Sequence, residues 1–220
     1  MNVTFEQIKN NGDIKTYITK ADESLKALGY TEHSFAHVGK VSHDAAYILE
    51  TLGYDERTVE LAKIAGYLHD IGNLVNRVDH SQSGAVMAFR VLDKLGMSAD
   101  EIATVVTAIG NHDEGTGVPV NAVAAALIIA DKSDVRRTRV RNSHPESFDI
   151  HDRVNYSVVD SSLTVTPDKS RIILELTIDS EISAVMDYFQ IFLGRMQMSK
   201  SAANALKLSF SLVINGQKLL

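Results

Sequence analysis

The first 135 residues carry apolar stripes with helical spacing, separated by short polar segments. One stripe follows a predicted helix cap at Thr31 and ends at Gly53. Its apolar positions are Phe35, Val38, Val41, Ala45, Ile48, Leu49 and Leu52. Further helices are predicted to start at Asp55, near Ser81, at Ser98 and at Asn121. The last of these is apolar nearly all round from Ala122 to Ala130, which is typical of a helix in the centre of a bundle.

The pattern changes near residue 150, where apolar and polar residues begin to alternate with period two. Strands are predicted over 154–160, 163–167, 171–179 and 208–214, with turns at Ser161-Ser162 and at 167–170. Two helices are predicted between the third and fourth strands, at about 180–195 and 200–206. The sequence therefore predicts a mainly α protein, with an all-α domain over 1–150 and a small α/β lobe over 151–220.

Composition narrows the chemistry more than the fold. The chain has 220 residues and no cysteine, which excludes disulfides, thiolate metal sites and thiol nucleophiles. Its net charge of −6 argues against general nucleic-acid binding. The first 20 residues lack the apolar segment of a signal peptide, and the run from Val118 to Ala130 is too short to span a bilayer, so a cytoplasmic location without membrane contact is expected.

Histidine and aspartate residues recur at the ends or inner faces of the predicted helices. This ordered set comprises His37, His69, Asp70, His80, His112 and Asp131. A single buried histidine is more often a hydrogen-bonded core residue than a ligand, and an adjacent His-Asp pair is common by chance. Asp131, however, ends the most apolar helix, where an ionised carboxylate is costly without a cation or hydrogen bonds. Several helices that each project one ligand inward are how bundles build metal sites.

With these residues in place, the sequence resembles the HD-domain phosphohydrolases. The family pattern is an early histidine, a His-Asp doublet and a later aspartate, matched here by His37, by His69-Asp70 within YLHDIGN and by Asp131 within LIIADKSD. Members with two metals carry further histidines, matched by His80 and His112. The resemblance covers roughly residues 30–135 and implies an HD-type helical bundle.

The resemblance also implies a metal-dependent mechanism. His37, His69, Asp70 and Asp131 would hold one divalent metal, while Asp70, His80 and His112 would hold a second and take part in catalysis. Such a site cleaves a phosphoester with a hydroxide bridging the metals. The nitrogen and oxygen ligands favour iron or manganese, with zinc, nickel or magnesium also compatible, as one ion or two.

The substrate side of the site is less well defined. Some subfamilies carry a lysine three residues after the doublet, where this chain has Asn73. Arg77, Arg136 and Arg137 are therefore candidates for binding the substrate phosphate, although a run of charges is more often a solvated or interface patch. The expected substrate is a small phosphorylated molecule, with a nucleotide as the leading class.

Two other functions remain open at this stage. The resemblance also permits a di-iron oxygenase on the same scaffold, or a nucleotide-binding signalling module without turnover. The C-terminal lobe carries no recognisable chemical motif, and its amphipathic helix is expected to pack on the first domain or to form a homodimer contact.

Overall fold

The computed structural model describes residues 2–220. The helices are α1 (Phe5–Asn10), α2 (Gly12–Ala27), α3 (Phe35–Leu52), α4 (Glu56–Leu68), α5 (His80–Lys94), α6 (Ala99–Gly110), α7 (Ala122–Ser133), α8 (Ile150–Ser157) and α9 (Val185–Ala205). The strands are β1 (Val158–Val165), β2 (Arg171–Ile178), β3 (Ser209–Ile214) and β4 (Gln217–Lys218). The predicted mainly α architecture with a small C-terminal sheet is confirmed.

Helix α7 is the centre of the molecule. Asn121 caps it by accepting a hydrogen bond from the Ala124 amide at 2.7 Å, and its side chains from Val123 to Ala130 are buried. It packs against α3, α4, α6 and α9. A helix that is surrounded on all sides must be apolar on all sides, so any polar group near its end faces an interior site.

Two glycines set how closely the surrounding helices approach one another. A Cβ on Gly66 of α4 would lie 2.7 Å from the Ser42 Cα of α3. A Cβ on Gly72 would collide with the His80 carbonyl and the Gly84 amide of α5. Because both contacts are with backbone, larger residues cannot be accommodated by a rotamer change. The segment around His69 and Asp70 is thereby pressed against α3 on one side and α5 on the other.

The C-terminal sheet has strand order β1-β2-β3-β4. β1 and β2 pair antiparallel, β2 and β3 pair parallel, and β3 and β4 pair antiparallel. Helix α9 is the crossover between the parallel strands and packs against both the sheet and α7. The C-terminal region therefore reaches the helical bundle through α9.

Several sequence-based boundaries were wrong. Helix α3 begins at Phe35 after Ser34, not after Thr31. The stretch from Val154 to Ser157 is the end of α8, because Asp149 caps that helix by accepting from the Asp152 amide at 2.8 Å. Ser161 and Ser162 are not a turn.

The serine pair continues β1 opposite Leu176 and Glu175, with Ser162 exposed and the half-buried Ser161 hydroxyl donating to the Ser133 carbonyl at 3.1 Å. The two helices predicted between the third and fourth strands are the single helix α9, which starts five residues later than expected. The predicted turn at 167–170 is confirmed, with the Thr166 amide bonded to the Arg171 carbonyl at 2.9 Å. The domain boundary at residue 150 stays a prediction. Over residues 2–220, the structure contains no helix with the length and hydropathy that crossing a membrane requires.

Candidate metal centre

The six predicted ligands converge on one buried point, and each comes from a helix end. His37 lies in the first turn of α3, and His69-Asp70 follow the last turn of α4. His80 starts α5, His112 follows α6, and Asp131 lies in the last turn of α7. The four histidines are at most 2% exposed. Because helix ends carry less packing constraint than helix centres, polar groups from five helices can meet there without disrupting the core.

One group of side chains surrounds the Asp70 Oδ2 atom. His37 Nε2 and His69 Nε2 lie 3.4 and 3.2 Å from it. The same two nitrogens lie 3.4 and 3.7 Å from Asp131 Oδ1. Metal–ligand distances of about 2.1 Å place neighbouring ligand atoms about 3 to 3.5 Å apart, so these spacings match a shared cation.

The hydrogen-bonding state of these atoms supports that interpretation. His37 Nδ1 donates to Asp134 Oδ2 at 2.7 Å, and His69 Nδ1 donates to the Gly66 carbonyl at 2.8 Å. The opposite nitrogen of each ring then faces the carboxylates, where it can carry a proton or coordinate a cation. His37 Nε2, His69 Nε2 and Asp70 Oδ2 are buried without a hydrogen-bond partner among residues 2–220. Buried nitrogen and carboxylate oxygen atoms this close to one another require positive charge between them, from protons or from a bound cation.

A second group lies on the other side of the same carboxylate. His80 Nε2 is 3.5 Å from Asp70 Oδ1 and 3.1 Å from His112 Nε2. Both rings donate their Nδ1 proton to backbone carbonyls, His80 to Arg77 at 3.1 Å and His112 to Ile109 at 2.6 Å. Two lone pairs therefore face each other across 3.1 Å. The two oxygens of Asp70 point to different groups, which is the arrangement of a bridging carboxylate.

The electrostatics differ between the two groups. Burial disfavours a charged His69 ring, but the carboxylates of Asp70 and Asp131 outweigh it and raise the pKa of His69 to about 10. Burial also opposes a charged His37, yet Asp131, Asp134 and Asp70 raise its pKa. In the second group, burial and the neighbouring His69 and Lys132 lower the pKa of His112 to about 3.

Burial lowers the pKa of His80 as well. A proton can thus balance the negative charges around His37 and His69, but no proton lies between His80 and His112 at neutral pH. Because His80 and His112 stay neutral with their acceptor nitrogens facing each other, the donor set fits a metal cation there.

Two further residues fix the orientation of the ligands. Asp134, which follows the last turn of α7, holds the His37 ring through its Nδ1 proton. Asn73 donates from Nδ2 to Asp70 Oδ1 at 2.9 Å and to the Asp70 carbonyl at 3.0 Å. The asparagine at the position of the subfamily lysine therefore positions the Asp70 carboxylate.

Of the three arginines predicted to bind the substrate phosphate, one lies beside the ligands and two do not. Arg77 lies at the cluster, with Nη1 3.3 Å from His80 Nε2. Arg136 instead binds the carboxylate of Asp134, and Arg137 donates to the Tyr156 carbonyl while its guanidinium lies 4.6 Å from the Tyr156 ring centroid. A small cleft beside the ligands is lined by Arg77 together with Asp70, His80, His112 and Asp131. Arg136 and Arg137 do not line this cleft, and a substrate contact for them stays a prediction.

Three basic residues that were not predicted line that cleft: Lys132, Arg139 and Arg195. Lys132 Nζ is 2.7 Å from Asp131 Oδ2 and 3.2 Å from Glu114. Arg195 Nε meets the same Glu114 at 2.8 Å. Lys132 and Arg139 are 3% and 4% exposed. Their burial marks them as candidate functional residues, but burial of a lysine or arginine cannot be recognised from the sequence alone. Lys132 directly follows Asp131 on a buried helix, a clue present in the sequence.

Arg195 had no local clue, because it comes from α9 in the C-terminal region. Phe192, one turn earlier, lies beneath its guanidinium, 4.6 Å from the ring centroid. The C-terminal region, which carries no recognisable motif of its own, therefore contributes a cation to the cleft.

Comparison with known proteins identifies the family of the chain. The family model of the HD domain matches residues 34–190. An uncharacterised protein of Methanocaldococcus jannaschii is 25% identical over an alignment of 170 residues that covers 67% of this chain and 65% of that protein. Two proteins named ribonuclease Y, from Bacillus pumilus and Desulforamulus reducens, are 29% and 32% identical over 54% and 64% of this chain.

The matched part is only 21% and 28% of the two ribonuclease Y sequences. Among solved structures, a predicted HD superfamily hydrolase from an uncultured Thermotogales bacterium is 26% identical, with 56% of this chain and 67% of that chain covered and a TM-score of 0.45. The family model spans well over half of the 220 residues, including every one of the six converging ligands. The chain therefore belongs to the HD domain family.

Proposed function

We propose that the protein is a divalent-metal-dependent phosphohydrolase that acts on a small phosphorylated metabolite. The observation that carries the proposal is the set of acceptor atoms that face one another. The Nε2 atoms of four buried histidines converge on the carboxylate of Asp70, and each of these rings already donates its Nδ1 proton to a carbonyl or to Asp134. Such a set binds cations, and a carboxylate shared by two groups suits a pair of them.

Under this proposal His37, His69, Asp70 and Asp131 hold one ion, and Asp70, His80 and His112 hold a second. Imidazole and carboxylate ligands favour iron or manganese among the candidates. Bound cations lower the pKa of water and neutralise charge on phosphoryl oxygens. Asp134 and Asn73 keep the His37 ring and the Asp70 carboxylate in position, which preserves the geometry between turnovers.

The reaction proposed is hydrolysis of a phosphate ester. A water oxygen forms a bond to phosphorus, the ester oxygen–phosphorus bond breaks, and the leaving alkoxide takes a proton from that water. The products are an alcohol and inorganic phosphate. Arg77, Arg139 and Arg195 lie at the edge of the ligand cluster and supply cationic donors for the phosphoryl oxygens.

The relatives named ribonuclease Y support phosphoester chemistry, since a ribonuclease cleaves such a bond. The net charge of −6 favours a small substrate over a long polyanion. The class to test first is therefore nucleotides and other small phosphate esters.

The test combines metal content with phosphate release. Purified protein should bind a transition metal and release phosphate from para-nitrophenyl phosphate or a nucleotide when Mn²⁺ is added. Asp70→Asn should lose both properties. Asp79→Asn is the matched control, because Asp79 is exposed, does not line the cleft and has a φ of 57° that asparagine adopts readily. Retention of metal and activity in Asp70→Asn, or no phosphate release with Mn²⁺, Fe²⁺ or Mg²⁺, would refute the proposal.

A further inference from the structure

A cavity of about 370 Å³ adjoins the cluster of six predicted ligands. It lies between the segment 28–33, the start of α8 and one face of α9. Four of its lining residues also line the cleft beside the ligands: His33, Arg77, Arg139 and Arg195. A volume of a few hundred Å³ is the usual size of a small-molecule site, so a substrate with its phosphate at the cluster would place its remaining atoms here.

The cavity has an asymmetric distribution of charge. Its border with the cluster carries three guanidinium groups, those of Arg77, Arg139 and Arg195. The residues that line the cavity without touching the cleft include two carboxylates, Asp149 and Asp152. Their neighbours in the lining are His151 and Asn155, so the charged groups away from the cluster are mainly acidic.

Two aromatic rings lie alongside the guanidinium groups. The Arg77 guanidinium is 5.7 Å from the Tyr30 ring centroid, and the Arg195 guanidinium is 4.6 Å from the Phe192 ring centroid. Such stacking holds a guanidinium in place without using its hydrogen-bond donors. Arg195 directs Nε to Glu114 and Arg77 directs Nη1 to His80, so the other nitrogens of both guanidinium groups are the donors left for an anion at the border between the cavity and the cleft.

Each carboxylate keeps accepting capacity for a ligand. Asp149 uses Oδ1 to cap α8, and Asp152 Oδ2 meets only a long contact of 3.4 Å from Asn142. Among residues 2–220, the second oxygen of each group accepts no hydrogen bond. Carboxylates accept hydrogen bonds and repel anions, so a ligand next to them must bring donors and no negative charge.

We propose that this cavity binds the body of the substrate and selects a phosphomonoester whose body is uncharged and rich in hydroxyl or amino groups. The arginine border orients the single phosphate towards the cluster. The Asp149 and Asp152 carboxylates accept hydrogen bonds from the body and exclude a second phosphate at that end. The proposal rests on the proposed function and narrows it: a polynucleotide, with a phosphate on each side of the nucleoside, is disfavoured.

Two adenine nucleotides test this directly. Adenosine 5′-monophosphate has one phosphate, and adenosine 3′,5′-bisphosphate adds a second on the far side of the sugar. Isothermal titration of the metal-free protein with each ligand measures the charge selection without turnover. The wild-type protein should bind the monophosphate about tenfold more tightly, because one like-charge contact within the cavity costs about a factor of ten.

A double variant removes the negative charges of the cavity at Asp149 and Asp152, and a control variant removes one outside it. Asp149→Asn with Asp152→Asn removes both charges, and asparagine still caps α8. This double variant should bind the two ligands within about twofold of each other. Glu146→Gln removes an exposed charge from the same segment outside the cavity and should keep the wild-type ratio.

The outcomes separate the two proposals. Equal binding of both ligands by the wild-type protein, or binding of neither, would overturn the cavity proposal, as would an unchanged ratio in the double variant. If the metal-loaded protein hydrolyses no ester but the metal-free protein shows the expected ratio, the phosphohydrolase function fails and the cavity assignment stands. If esters are hydrolysed but the kcat/KM ratio of the two ligands is the same in the double variant as in the wild type, the cavity assignment fails and the phosphohydrolase function stands.

Discussion

Asp134 Oδ2 accepts a hydrogen bond from His37 Nδ1 at 2.7 Å, across 97 residues of sequence and with both side chains fully buried. This contact fixes which nitrogen of His37 faces Asp70 and Asp131. Burial opposes an ionised Asp134, but His37 and Arg136 outweigh it and lower the pKa of Asp134, so the carboxylate stays charged and keeps accepting. The ligand set therefore depends on a residue that does not itself face the cluster.

Replacing Asp134 by asparagine should weaken metal binding while leaving all six ligands in place. Loss of a partner that orients a histidine ligand typically costs about 10-fold to 100-fold in metal affinity. Titration with Mn²⁺ measures it. Asp160→Asn, an exposed carboxylate on β1, is the control and should bind as the wild type does. Equal affinity of Asp134→Asn and wild type would contradict the role given to Asp134.

Metal binding at neutral pH should release protons. The carboxylates of Asp70 and Asp131 raise the pKa of His69 to about 10, and they raise the pKa of His37 together with Asp134. Because a raised pKa keeps the proton bound at pH 7, an incoming cation must displace it, and metal affinity should rise with pH. Titration in two buffers of different ionisation enthalpy counts the protons, with about one to two expected. Release of no protons, or a metal affinity that falls as pH rises from 6 to 8, would contradict this prediction.

Gly72→Ala should destabilise the protein strongly. The added Cβ would collide with backbone atoms of His80 and Gly84, which cannot move aside as a side chain can. Overpacking of this kind costs about 1–3 kcal/mol or more in the free energy of unfolding. Urea unfolding measures it, with Gly12→Ala as control, because a Cβ on Gly12 meets nothing within 4 Å. Similar stability of the two variants would show that α5 does not pack as closely against this segment as described.

Arg195→Gln should weaken binding of inorganic phosphate to the metal-loaded protein. A charge-assisted hydrogen bond contributes about 1.5–3 kcal/mol, which corresponds to roughly 10-fold to 100-fold in affinity. Arg137→Gln is the comparison, because its guanidinium contacts Tyr156 instead of lining the cleft. We expect a change of less than about twofold for it. A larger effect from Arg137 than from Arg195 would reverse the assignment and support the sequence-based expectation for Arg137.

The fold class and the six side chains that converge could be predicted from the sequence, because both depend on local signals. The apolar stripe of α7 and the His69-Asp70 doublet can be recognised without knowing any neighbour. Arg195 could not be found in this way, since its distance from Asp131 depends on how α9 crosses between β2 and β3. The strand error near Val154 had a similar origin: alternation favoured a strand, while the cap at Asp149 and packing on α9 stabilised a helix.

Under the proposed function, Asp70 bridges two cation positions. Crystals grown with Mn²⁺ and measured at the manganese absorption edge would test it directly through anomalous difference density. Two peaks are expected, one among His37, His69, Asp70 and Asp131, and one among Asp70, His80 and His112. Density elsewhere, or none at either position at millimolar Mn²⁺, would contradict it.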